Sequence, residues 1–380
     1  MLFPSVVYDQ GVSRESVVAN FGYAGDSETI FVYVVSVSRR GHATLQGGSR
    51  HHYTPHHWCF PEIREGITRT IHPMRSQVMI DAARSLVMAR KPLRIALVEL
   101  PEVVHDARLK PQPNVESRWL SNGPVADVDK KIQQAVLLAI RRARSHGAHV
   151  VLFGELCGSA GVSAALISEI QRTDWRDNPI LVVGPTRHEV AADGTVRNIC
   201  RALDAQGNFV DELTHAKINW VSLSRLLGSV PLEEAITPGT GVSLLATEFG
   251  LVAIVICHDL SQAIESRTLL GVLADLPLCI LFVPSMSKRT DAHKRASQFV
   301  NLENAAHVVV ANQALVKFWE GDTTAWDEGG SFWWRGEPND NPLPVEVFRY
   351  RVIESAGNMS LELEAAELVN PPATILSIDK

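Results

Sequence analysis

Residues 251–259 read LVAIVICHD. The run Leu251 to Cys257 is apolar almost throughout, too short for a helix of ordinary length, and followed at once by a helical pattern. Such a run predicts a strand buried on both faces, which occurs where helices or a second sheet cover each side. The cysteine closes the strand at a sharp strand-to-helix turn. A nucleophile on such a turn stands exposed at the sheet edge, with the next backbone N–H groups directed at any oxyanion it creates. His258 and Asp259 do not complete a triad with Cys257, because a triad needs side chains converging from separate parts of the chain. Consecutive residues of an extended strand point to opposite faces, so His258 is expected to offer its backbone N–H instead.

Two other apolar runs end on a reactive residue in the same way. VVLFGEL delivers Glu155, and LTHAKINW carries Lys217. A carboxylate at the end of a buried strand must be solvated, paired or functional, since burying it alone is costly. Partial burial raises its pKa, which suits it to take a thiol proton and return it to a leaving group. An ammonium beside a thiol lowers the thiol pKa and stabilises negative charge on a tetrahedral intermediate. Taken singly, each has a bland reading as a packed cysteine, a surface acid or a snorkelling lysine.

Around these runs the chain alternates short strands with helices. RIALVEL (94–100), AHVVLF, PILVVG, CILFVPS and HVVVAN read as buried strands, and VEVFRYRVI and ATILSI as two more near the C-terminus. Helices are expected over about 128–145, 163–172, 269–274 and 292–306. Asp127 is the expected N-cap of the first, and Gly147 its C-terminal stop. Turns fall at Asp193-Gly194 and Gln206-Gly207. The pattern predicts an α/β fold with a mixed or parallel sheet covered by helices. Residues 1–92 differ: one strand candidate (29–38), a polar stretch rich in histidine and glycine, and one helix candidate (74–89). They read as an accessory N-terminal segment, and residues 93–380 as the main domain.

The 380 residues carry 36 basic and 42 acidic side chains, a net charge of −6, which gives no reason to expect nucleic acid or an anionic membrane as partner. No apolar run is long enough for a membrane span, and the N-terminus lacks a signal pattern, so a cytoplasmic location is expected. The five cysteines are widely spread and form no CxxC pair, which argues against a disulfide framework or a zinc knuckle. His51, His52, His56, His57 and Cys59 match no standard metal spacing, and a solvated loop is the expectation there. Trp326, Trp333 and Trp334 read as packing or interface residues.

Glu155, Lys217 and Cys257, in that order and each on its own strand, resemble the nitrilase superfamily of carbon–nitrogen hydrolases. The resemblance covers roughly residues 93–313. GAHVVLFGEL is similar to the family's first-glutamate strand, VVGPTRHE with DGTVRNICRALDAQGNFVDELTHAKINW to its middle hairpin and lysine strand, GLVAIVICHDLSQAIESR to its cysteine elbow, and RASQFVNLENAAHVVVANQ to the helix and strand that follow. The resemblance implies an αββα sandwich with the active site at one end of two sheets. Glu155 is then the general base, Cys257 the nucleophile, Lys217 the oxyanion partner and His258 an oxyanion donor. A second glutamate is implied between lysine and cysteine; Glu233 and Glu234 are the candidates, and Glu233 fits the distance to the cysteine slightly better. No metal or organic cofactor is implied.

Three departures bear on substrate. Gly154 replaces the family's proline before the first glutamate, which is expected to loosen the turn that holds the base. His258 replaces the aromatic residue after the cysteine. GGSFWWRGEPNDNP is only loosely like the family's closing hairpin. Cys-His-Asp is nearer the amidase-like branches than the Trp-Glu of nitrile hydrolysers, so the expected substrate is a small amide or carbamoyl compound rather than a nitrile. Family members associate through their sandwich faces, which implies a homo-oligomer or assembly with another protein. The alternative is a nitrilase-like ligand-sensing or assembly module within a larger complex.

Overall fold

The computed structural model describes residues 6–7, 16–21, 30–35, 62–64, 67–89, 91–112, 115–172, 181–223, 232–262, 273, 278–287, 289–304, 306–313, 316–317, 330–335, 344–355 and 358–369. The five longer or site-bearing helices are α1 (Gln77–Ala89), α2 (Ala126–Ser145), α3 (Ala160–Arg172), α4 (His258–Ser261) and α5 (Asp291–Asn304).

The apolar runs assemble into two sheets. The first has six strands in the order Ala202–Asp204, Leu181–Val183, Val150–Phe153, Leu93–Glu99, Val345–Ser355, Asn358–Val369. Its four middle strands run parallel and its outermost pairs antiparallel. The second has seven, in the order Phe332–Trp334, His307–Asn312, Leu278–Ser285, Gly250–Ile254, Gly241–Thr247, Ile67–Pro73, Glu62–Arg64.

Strand alternation sorts the side chains into layers. Ile95, Leu97, Val150, Leu152, Leu181 and Val183 of the first sheet meet Leu245, Val252, Ile254, Ile280, Phe282, Val309 and Ala311 of the second in one shared core. The intervening residues Ala96, Val98, Val151, Phe153 and Val182 face the other way and pack on Ile132, Val136, Ala139 and Ile140 of α2 and Val162 and Leu166 of α3. On the far side Leu244, Ala253, Leu281, Val283, Val308 and Val310 pack on Ala296 and Val300 of α5. The order of layers is helix, sheet, sheet, helix: an αββα sandwich. Strands buried on both faces are why the sequence shows continuous apolar runs rather than alternation. Each fully buried Val, Leu or Ile in them contributes about 1.5–3 kcal/mol.

Part of the segment read as accessory belongs to this sandwich. Ile67–Pro73 pairs in parallel with Gly241–Thr247, and Met79, Ile80, Ala83 and Leu86 of α1 join the inter-sheet core. The segment looked thin in core residues because it supplies one face of a core that other strands complete. Residue 92 therefore does not mark a break in packing. The strand expected over 29–38 appears as Ile30–Val35, in a separate three-stranded antiparallel sheet with Val6–Val7 and Ser16–Phe21. Residues 51–59, Trp326, the 373–378 strand candidate and nearly all of the 269–274 helix candidate lie outside the described residues.

Helix α2 corrects one detail. Its N-cap position is Val125, without a side-chain capping bond, while Asp127 and Asp129 lie inside the first turn. There they favour the helix dipole rather than cap it. Gly147 follows the end of the helix with φ 69°, as its sequence position predicts.

Candidate active site

Parallel strands of both sheets end at one edge, and backbone hydrogen bonds stitch that edge together. The Ser285 carbonyl accepts from Glu155 N–H (3.0 Å) and Gln313 N–H (2.8 Å), and the Pro284 carbonyl from Cys257 N–H (2.9 Å). Glu155 thus follows the end of a strand in the first sheet, and Cys257 the end of one in the second, against a common strut. Among the described residues, Leu156 (φ 55°) and Cys257 (φ 40°) are the non-glycine residues with positive φ. Both lie in the turns that present the Glu155 and Cys257 side chains, where backbone strain is held by the surrounding structure. Cys257 occupies the N-cap position of α4, the strand-to-helix turn expected from the sequence.

Gly154 does not loosen its turn. A Cβ there would stand 2.8 Å from Gln313 Cβ, 2.9 Å from Gln313 N and 3.2 Å from the Ser285 carbonyl oxygen. The glycine is what lets the two sheets close at the site. Gln313 then locks its own position through its side chain, which accepts from Leu100 N–H (3.0 Å) and donates to the Leu100 carbonyl (2.9 Å).

Lys217 arrives on a third element. Asn198 lies in Val196–Cys200, which pairs antiparallel with His215–Ala216, and its carbonyl accepts from Lys217 N–H at 2.9 Å. The lysine is 1% exposed, and its ammonium donates to Glu155 Oε1 (2.7 Å) and Glu234 Oε2 (2.8 Å). The glutamate that meets the lysine is therefore Glu234, not the Glu233 that the sequence spacing favoured. Leu232–Glu234 runs beside Val115–Pro124 in parallel, with Glu234 opposite Trp119, and its two glutamates point to opposite sides. Glu233 goes outward toward Arg118, 3.8 Å away.

Four donors converge on Glu234. Besides Lys217 they are Asn198 Nδ2 (3.0 Å), His188 Nε2 (2.9 Å) and Val221 N–H (3.2 Å). His188 Nδ1 accepts the Ser121 N–H at 3.0 Å, which leaves the proton on Nε2 to face the carboxylate. Asn198 Nδ2 also donates to Glu155 Oε1 at 2.9 Å, so one amide and one ammonium bridge both acids.

These surroundings drive the two acids apart. Burial raises the Glu155 carboxyl, and Lys217 only partly offsets it, so it stays above the ordinary value. Burial also works to raise Glu234, but Lys217 and His188 outweigh it and hold the group at about 2. Burial alone would lower Lys217, yet the two carboxylates push it up and keep it charged. Burial, helped by Glu155, pushes the Cys257 thiol well up against the pull of Lys217, so the resting group is the thiol. A permanent anion, a permanent cation, an acid of raised pKa and a protonated thiol share one pocket.

Asp259 has a role that strand alternation alone did not suggest. It is fully buried, and Oδ1 accepts from Ile218 N–H (3.0 Å) and Asn219 N–H (2.7 Å). Oδ2 accepts from His215 Nε2 (2.9 Å) and Ile256 N–H (3.2 Å). The carboxylate thereby ties the residues on either side of Lys217 to the cysteine turn. Its helical position after Cys257 was visible in sequence; its partners, some forty residues away, were not. His258 opens α4 directly after the cysteine, and its Nδ1 lies 3.0 Å from Ser261 Oγ.

Solved structures to which this chain is partly similar include amidases. One solved structure, an amidase variant from Nesterenkonia sp. AN1 showing Michael addition of acrylamide at its active site cysteine, is 14% identical with a TM-score of 0.36, covering 49% of this chain and 71% of that one. Another, a variant of the Nesterenkonia AN1 amidase from the nitrilase superfamily, is 13% identical with a TM-score of 0.36, covering 56% and 78%. An amidase from Nesterenkonia sp. is 15% identical at a TM-score of 0.36, covering 57% and 75%. No protein-family model matches the chain. No curated protein matches it. The αββα architecture stands on this chain's own strand order and core.

Among the described residues no helix is long and apolar enough to cross a membrane, and no group of three or more His, Cys, Asp or Glu side chains could hold a metal ion.

Proposed function

We propose that the chain is a thiol hydrolase of the nitrilase type, cleaving a small, non-peptide amide or carbamoyl C–N bond. The observation that carries this reading is the buried ammonium of Lys217, held between Glu155 and Glu234 beside a thiol on a strained turn. Burying three charges costs several kcal/mol each before pairing, roughly, and a purely structural core would be as stable with apolar residues. A site that must stabilise transient negative charge has a reason to hold them.

In this reading the Cys257 sulfur attacks the carbonyl carbon as Glu155 takes the thiol proton. The oxyanion is held by the remaining N–H of Lys217 and by the backbone N–H of His258 at the start of α4. Glu155 returns the proton to the departing amine or ammonia, leaving a thioester. Water then attacks the thioester, giving its proton to Glu155, and the acid leaves as the proton returns to sulfur. The raised Glu155 suits it to exchange protons, while Glu234, held at about 2, remains the fixed counter-charge of the lysine.

The test is ammonia release from a panel of short aliphatic amides and N-carbamoyl compounds. Cys257→Ala should abolish turnover with the unfolding midpoint preserved. Turnover retained in that variant would refute the mechanism.

A further inference from the structure

Two buried groups beside the thiol are not used in that cycle. Ser285 is fully buried and its Oγ lies 3.4 Å from Cys257 Sγ. His293, on the first turn of α5 and 3% exposed, places Nε2 3.3 Å from the same Ser285 oxygen and 3.6 Å from the sulfur. Two elements that come together only in the folded sheet edge, the end of Leu278–Ser285 and the start of α5, close this triangle on one atom.

The directions of the hydrogen bonds follow from what each group can do. The thiol has a single proton and faces the Glu155 carboxylate and the Met286 carbonyl, 3.6 Å away, both stronger acceptors than a hydroxyl. The Ser285 hydroxyl is thereby free to donate to sulfur. Its oxygen then accepts, and the group able to give it a proton is His293 Nε2–H. That tautomer leaves Nδ1 as a bare lone pair, and Nδ1 is buried with no hydrogen-bond partner. The opposite tautomer would strand an N–H there, which buried sites tolerate less well. Burial holds the ring well below its ordinary range, at about 4, so it carries one proton across the working pH range.

We propose that Ser285 and His293 form a donor relay aimed at the Cys257 sulfur, His293 orienting Ser285 and Ser285 stabilising the thiolate as it forms. This rests on Cys257 being the nucleophile. It supplies on the sulfur side what Lys217 supplies on the oxygen side: a donor whose bond strengthens as charge develops. Ser285 touches the reacting atom; His293 is a positioning residue.

The relay predicts thiol reactivity independently of any substrate. The rate of iodoacetamide alkylation at Cys257 would be followed from neutral pH to about pH 12, because burial holds the thiol well above its ordinary range, by peptide mass spectrometry, with thiolate ultraviolet absorbance, taken as the difference from Cys257→Ala, giving the same midpoint without a reagent having to enter. The charged groups facing Cys257 are Glu155 and Lys217, and those facing His293 are His258 and Lys217; all are kept in every variant. Ser285→Ala should slow alkylation about tenfold near neutral pH, with the midpoint raised by about one pH unit. His293→Leu should move it the same way by several-fold, and His293→Gln, whose amide can donate from a similar place, should recover most of the loss. Cys157, Cys200 and Cys279 are buried thiols, so their continued protection reports that each variant is folded.

An unchanged midpoint in Ser285→Ala would overturn the relay. So would His293→Gln behaving like a folded His293→Leu. Should His293→Leu not fold, the Ser285→Ala and His293→Gln arms decide. Absence of amide turnover in the unsubstituted protein would count against the hydrolase reading alone, since the alkylation midpoints do not depend on it.

Discussion

Replacing Asp259 tests whether the link between the lysine strand and the cysteine turn is carried by one carboxylate. In Asp259→Asn the amide nitrogen must face one of two donor pairs. Toward Ile218 and Asn219 it would oppose two N–H groups at 3.0 and 2.7 Å; toward His215 and Ile256 it would oppose one obligate N–H, at 3.2 Å, and a ring nitrogen that can change tautomer. The second orientation is cheaper and leaves one buried donor unmatched, a loss of about 1–3 kcal/mol. Asp259→Ala removes all four bonds. Ile218 and Asn219 are partly exposed and can turn to water, whereas His215 and Ile256 are buried, so two unsatisfied groups remain, together about 4 kcal/mol. Guanidinium unfolding followed by tryptophan fluorescence should rank the three proteins Asp, Asn, Ala. Because Ile218 and Asn219 directly follow Lys217, kcat toward a responsive amide should fall in the same order, by roughly tenfold or more for Ala, since ~1 Å of misplacement can cost ~100-fold. A midpoint for Asp259→Asn within about 0.5 kcal/mol of the original, with kcat unchanged, would refute the clamp.

Glu234→Gln and Glu233→Gln should behave differently although the residues are neighbours: the first lowers kcat for amide hydrolysis by roughly tenfold or more by loosening Lys217, and the second stays within about twofold, because Glu233 points away from Lys217 toward Arg118. Equal effects would refute the assignment. Gly154→Ala should destabilise by about 1–3 kcal/mol through the 2.8 Å approach of its Cβ to that of Gln313, read as a lower unfolding midpoint. An unchanged midpoint would mean that the two sheets do not close there as tightly as described.

Much of this site was legible as sequence because it sits on buried strands. A strand covered on both faces must be continuously apolar, so AHVVLF and LVAIVIC announce themselves, and whatever polar residue ends each run stands out. Sequence pattern also located, through its turn residues, the hairpin at Asp193-Gly194, found as Arg187–Val190 against Val196–Cys200, and the helix expected over about 292–306 appears as α5. It failed where the outcome depended on which face a residue takes. Glu233 and Glu234 differ by one position, and only pairing with Val115–Pro124 decides which is inside. Gly154 looked like a lost proline, yet its meaning is the approach of Gln313 from another strand.

By itself the sequence determined the local chemistry: which residue types end the buried strands, that the chain is α/β with a sheet covered by helices, and that acid, amine and thiol are all on offer. Those properties follow from short-range pattern and need no partner. Tertiary structure alone decided the placement of Glu234, Asp259, Ser285 and His293, and that α1 and the Ile67–Pro73 strand complete the core. Each of these depends on side chains from distant parts of the chain meeting at hydrogen-bond distance. A carboxylate, a hydroxyl and an imidazole have the same appearance in sequence whether they face water or a sulfur atom. Only the packed sheet edge, by excluding water and fixing direction, gives them different work.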